Sequence, residues 1–214
     1  MMRRIQNIRK ETIFENPETQ QSYRRVVGAM GWPWEPRPGF LVVLGEQYLV
    51  DQGLKGRPLE VLAEREVESI PALHQGCLEL RKQWCCDIWL ADLQQKEAVR
   101  LFRQINRGLN DRRNDIEPVQ LHTAPYSHGA GQLQVLFQML GMVQSPDHKL
   151  LSYGPDSKLP RYAQGLDSKD LKEKAGKFPA LAALAYAVAE MILREPWSGK
   201  EPSQQVVTDW DCYA

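Results

Sequence analysis

The sequence predicts an α/β domain built on a mixed sheet. Three antiparallel strands come first, helices and strands then alternate, and helices cover both faces. Two observations carry this reading. Apolar runs at 23–30, 40–50 and 59–67 are separated only by short breaks holding Pro33, Pro36, Pro38 and Gly39, then Gly53, Gly56 and Pro58. Breaks that short favour antiparallel neighbours, since parallel strands need a crossover of about a dozen residues or more. Beyond residue 67 the apolar spacing changes to steps of three and four, interrupted by short apolar runs, as right-handed crossover units require.

The first helix is marked by Ile70, Leu73, Cys77, Leu80 and Trp84 on one stripe, with Ser69 suited to cap it and Pro71 to its first turn. A strand over 87–91 follows, then a helix over 94–108 that turns Ala98, Phe102 and Ile105 inward. Residues 117–122 read as a fifth strand. Leu133, Leu136, Phe137 and Leu140 mark another helix, ended by Gly141 or Pro146. Residues 144–176 are polar and without a clear period, so an irregular excursion is expected. Leu181, Leu184, Ala185, Val188 and Ile192 define a last helix that stops at Pro196. The resulting division is an N-terminal arm at 1–22, a domain at 23–194 and a loose C-terminal tail at 195–214. The arm, with Ile5, Ile8, Ile13 and Phe14 among polar residues, reads either as an amphipathic segment docking on a partner or as a frayed terminus.

Composition bounds the function. Apolar residues at 43% supply a full core, and 27 Lys plus Arg balance 27 Asp plus Glu, so any attraction for nucleic acid must come from local basic patches. Cys77, Cys85, Cys86 and Cys212 form no Cys-x-x-Cys pair and read as reduced thiols. No apolar run approaches the ~18–20 residues that cross a membrane, and Met1-Met2-Arg3-Arg4-Ile5 lacks the apolar stretch of a signal peptide. A cytoplasmic protein without membrane partners is expected.

The order of elements resembles the ribonuclease H-like fold; a flavodoxin-like sheet would need helices between the first strands. Within it, Asp87-Ile88-Trp89-Leu90-Ala91-Asp92 is a short strand ending on a carboxylate, where open α/β sheets usually hold their ligands. Read alone, Asp92 is either a functional acid or the N-cap of the following helix. Nucleases of this architecture cleave phosphodiesters with two divalent ions about 3.5–4 Å apart, held by several carboxylates.

From residue 23 to about residue 193 the chain resembles the C-terminal nuclease domain of the phage terminase large subunit, the DNA-packaging motor. In that family a first strand ends in Gly-x-Asp; Gly28-Ala29-Met30 matches it with Met30 at the acid. A later strand ends in an acid, often followed by proline; Asp92-Leu93 matches. The last helix opens with aspartates ahead of a Leu-Arg-Tyr-like run; Phe178-Pro179-Ala180-Leu181-Ala182-Ala183-Leu184-Ala185-Tyr186 matches without a carboxylate. The resemblance makes Asp92 the catalytic and metal-ligating residue, and double-stranded DNA and a separate packaging ATPase or other phage protein the partners. Magnesium or manganese would serve an active enzyme, and no cofactor is expected otherwise. Glu35, Glu46, Asp167, Asp170, Glu173 and Glu190 are the acids available to replace the missing ones, and they read as solvated or misplaced.

Arg100, Arg103 and Arg107 share a helical face, with Arg112 and Arg113 in the next loop. They read as DNA-binding residues or as a solvated face. Arg24 and Arg25 read as surface. His74, His122, His128 and His148 are scattered. Trp32 and Trp34, set among prolines, either form an exposed loop tip or pack over the sheet edge. No Gly-x-x-x-x-Gly-Lys-[Ser/Thr] run is present, so ATP is not bound in the P-loop manner. The leading expectation is a terminase-nuclease-like domain deficient in cleavage, acting in DNA binding or packaging assembly. The alternatives are an active metal-dependent DNA endonuclease using Asp92, and a structural partner protein with no nucleic-acid role.

Overall fold

The computed structural model describes residues 1–7, 10–48, 58–110, 117–125, 150–167 and 169–193. The helix expected around Leu133 and Leu140 and the tail from residue 195 lie outside them. The chain runs β1 (Arg3–Gln6), β2 (Thr12–Asn16), β3 (Gln21–Gly31), β4 (Gly39–Gln47), β5 (Leu59–Val67), α1 (Ile70–Trp84), β6 (Ile88–Ala91), α2 (Lys96–Asn110), β7 (Gln120–Thr123), β8 (Leu151–Ser152), α3 (Leu159–Gln164) and α4 (Pro179–Leu193). Two 3-10 turns, Asp170–Lys172 and Ala175–Lys177, lead into α4. The mixed α/β architecture agrees with the sequence reading, and the excursion expected over 144–176 contains β8, α3 and these turns.

The 11-residue strand β3 organises the sheet. One of its edges pairs with β4 along its length, and β4 pairs with β5, both antiparallel. The other edge is shared. Its N-terminal part, Gln21 to Tyr23, pairs antiparallel with β2, whereas Gly28 and Ala29 pair parallel with Trp89 and Leu90 of β6. β7 lies parallel beyond β6, and β8 lies parallel to β5. The spatial order β5-β4-β3-β6-β7 thus has three antiparallel strands and two parallel to β3. Residues expected as an arm or frayed end instead form the β1–β2 hairpin, which extends the sheet beside the start of β3. Arg4 fixes it by pairing with Asp87 and lying over Phe14.

Alternation along the strands separates two cores. Val27 and Ala29 of β3, Val42 and Leu44 of β4 and Leu90 of β6 pack with α4. Val26, Met30, Leu41, Val43 and Trp89 pack with Leu73, Cys77 and Leu80 of α1 and Val99 and Phe102 of α2. The Ser69 hydroxyl accepts the Ala72 N–H at 3.3 Å, Pro71 sits in the first turn, and Cys85 closes α1 in a left-handed conformation. Such a serine cap contributes about 1 kcal/mol. Helix α4 is apolar around its circumference and buried from Pro179 to Met191, which makes it a central helix and not a surface one. Among the described residues no helix is long and apolar enough to cross a membrane.

Candidate functional site

Asp92 leaves β6 two residues after Leu90 and so shares the α4 face. Its Oδ1 accepts the Gln94 N–H at 2.9 Å, and its main-chain carbonyl accepts the indole N–H of Trp32 at 2.8 Å. The first bond of α2 runs from the Val99 N–H to the Gln95 carbonyl. Asp92 therefore forms an Asx turn ahead of the helix, and Gln95 occupies the cap position. On the other side lies the turn before α4. A Cβ at Gly176 would fall 2.5 Å from Gln95 Nε2 and 3.9 Å from Asp92 Oδ2. Burial, with the Asp92 charge adding to it, pushes the buried Tyr186 phenol of α4 well up.

Met30, the position matched to the missing acid, does not face this site. It is fully buried on the α1–α2 side with Trp32, Leu73 and Trp89. The β3 positions on the α4 face are Ala29 and Gly31. Ala29 is sealed beneath α4, and a Cβ on Gly31 would lie 2.1 Å from the Pro179 carbonyl oxygen. Backbone meets backbone there, so the start of α4 occupies the space a second carboxylate would need.

The acids that might compensate are engaged elsewhere. Glu46, 2% exposed, pairs with Arg25 at 2.7 Å, and Arg25, expected at the surface, is 13% exposed. Arg25 Nη2 also donates to the Met191 carbonyl at 2.6 Å, near the C-terminal end of α4. Glu190, also buried, belongs to that same end of the helix. Asp167 Oδ1 accepts the N–H groups of Lys169 and Asp170, and Asp170 Oδ2 accepts that of Asp167. Glu173 pairs with Lys177 at 2.7 Å, and Glu35 is exposed on the β3–β4 turn. Among the described residues no group of three or more His, Cys, Asp or Glu is placed to hold a metal. Among the described residues, the oxygens around Asp92 therefore do not fit a pair of divalent ions, which needs several converging carboxylates.

Cationic and aromatic side chains lie on the elements that flank Asp92. Lys96, Arg100, Arg103 and Arg107 are exposed at spacings of three and four along α2. Among the described residues Arg100, Arg103 and Arg107 make no ion pair, and Arg112 and Arg113 lie outside them. The two tryptophans divide: Trp32 is buried edge-on to Phe102, while Trp34 is 43% exposed on the turn. Arg37 on the same turn stacks over Phe178, 4.0 Å from its ring centre, and donates to the Lys177 carbonyl at 2.7 Å. His74 is buried between α1 and α2 and His122 is exposed on β7, whereas His128 and His148 lie outside the described residues. Sequence reasoning missed Arg37, Gln95, Gly176 and Lys177. The only signal was compositional: an arginine between prolines, and lysines dense over 169–177.

No protein family, no curated protein and no solved structure matches the chain.

Proposed function

We propose that this chain is a ribonuclease H-like domain of the terminase-nuclease type that holds DNA without cutting it and acts beside a separate packaging ATPase or another phage protein. The strand order β5-β4-β3-β6-β7, with crossover helices α1 and α2 on one face and the last helix on the other, supports the fold assignment. The observation that carries the functional reading is the contact of Gly31 with Pro179. It fills the place of a second carboxylate beside Asp92, while α2, which begins next to Asp92, carries exposed Arg100, Arg103 and Arg107 that make no ion pair among the described residues.

Fluorescence anisotropy with a labelled DNA duplex, read across a salt series, tests this. Affinity should fall steeply with salt, with a log–log slope of about −0.9 per phosphate neutralised. Replacing Arg100, Arg103 and Arg107 together by Gln should flatten that slope while leaving the melting temperature unchanged, since all three are exposed. Salt-insensitive binding, or failure to bind both duplex and single-stranded DNA, would instead leave a protein that acts only on other proteins.

A further inference from the structure

The strongest unused feature of the molecule is the turn at the C-terminal end of β3. Trp34 and Arg37 exchange both main-chain hydrogen bonds, 2.9 Å from the Trp34 N–H and 2.5 Å from the Arg37 N–H, so the exposed indole stands on a closed four-residue loop. Arg37 ties that loop to Lys177 and Phe178; Gly176 in the same 3-10 turn abuts Gln95; and Lys96 follows, opening α2. These contacts join the loop of the exposed indole to the turn before α4, and that turn to Gln95 and Asp92 at the start of α2, along which Lys96, Arg100, Arg103 and Arg107 are exposed. Lys172 and Lys174 on the strap into α4 are exposed and make no ion pair among the described residues. From Lys96 to Arg107 the cationic face extends roughly 16 Å at about 1.5 Å per residue.

We propose that this surface binds single-stranded DNA, a base stacking on Trp34 while the following phosphates lie against Lys174, Lys96 and the α2 arginines. The inference rests on the nucleic-acid reading above and narrows it. A duplex shields its base faces, so an exposed indole within a cationic track has a partner of matching chemistry only where bases are unstacked. Every nucleobase offers such a face, so binding should tolerate any sequence.

The test is anisotropy of a labelled oligothymidylate of about 12 nucleotides, within the ~4–16 nucleotides that small single-strand sites cover, against a duplex of equal length. The single strand should bind more tightly. Trp34→Ala should weaken it about tenfold and leave duplex binding unchanged, and Trp34→Phe should restore most of the loss. Lys174→Gln should reduce the single-strand salt slope by about 0.7. Both side chains are exposed, so unchanged melting curves serve as the folding control. Equal affinity for duplex and single strand, or no effect of Trp34→Ala, would overturn this inference and leave the broader reading standing; the indole would then serve a protein partner. Failure to bind either probe would overturn both.

Discussion

Met30 at the end of β3 and Asp92 at the end of β6 face opposite sides of the sheet, Met30 packing with Trp32 and Trp89 and Asp92 lying beside Gly176 on the α4 side. Met30→Asp therefore cannot rebuild a paired-acid site. It should bury a carboxylate among apolar side chains and lower stability by several kcal/mol, or keep the carboxyl protonated. Chemical denaturation should show the loss, and metal-dependent DNA cutting should not appear. Cutting by this variant would mean that the residue reaches the α4 face.

Two glycines touch α4 or the turn before it, and they should respond differently to alanine. At Gly31 the new methyl meets the main-chain carbonyl of Pro179, which cannot move without shifting the helix. A loss of at least about 2 kcal/mol is expected, as for overpacked cores. At Gly176 the methyl meets the amide end of Gln95, which can swing aside, so the loss should stay under about 1 kcal/mol. Paired urea titrations measure both, and equal losses would contradict the close docking of α4 on β3.

Arg25 and Glu46 form a buried pair that also reaches the Met191 carbonyl. Removing one partner leaves the other charge uncompensated, so Arg25→Met should cost about 3–5 kcal/mol. Replacing both with apolar residues should recover much of that loss. Melting curves of the single and double variants decide it; a double variant as unstable as the single would argue against charge burial as the cause.

His74 Nε2 lies 2.7 Å from Asn106 Oδ1, which also accepts the Val119 N–H at 3.1 Å. An amide oxygen can only accept, so Nε2 is the donor in this bond. Burial, with Arg81 adding, lowers the His74 pKa from 6.5 despite the opposing bond to Asn106. As pH falls below about 6.5 the unfolded chain takes up a proton that the folded chain resists. The stability present above that value should therefore decline as pH drops through the lowered folded pKa. Denaturation midpoints between about pH 5 and 7.5 should show this slope, and His74→Gln should flatten it.

Much of the fold was legible because strands β3 to β5 are long, apolar and separated by Pro and Gly breaks, and because Ser69, Pro71 and the α1 stripe state a helix in local terms. The hairpin escaped notice because Arg3-Arg4-Ile5-Gln6 is too short and polar to carry a period; its pairing with β3 is what defines it. The face of Met30 was equally hidden. Strands buried on both sides carry apolar residues at every position, so alternation does not say which side meets which helix. Arg25 looked like a surface residue because the register that sets it opposite Glu46 is a tertiary property. At the site, Asp92 and the α2 arginines were visible as residue types in sequence. Gly176 and Gln95 come beside Asp92, and Arg37 beside Lys177 and Phe178, only through tertiary contacts of the strap into α4.

The most direct test is a plasmid-nicking assay in manganese, comparing the unmodified protein with Asp92→Asn. With the space beside Asp92 filled by the start of α4 and no metal-holding group of acids among the described residues, neither protein should nick DNA, and both should retain binding. Manganese-dependent nicking by the unmodified protein that disappears in Asp92→Asn would contradict the reading of this fold as a holder of DNA.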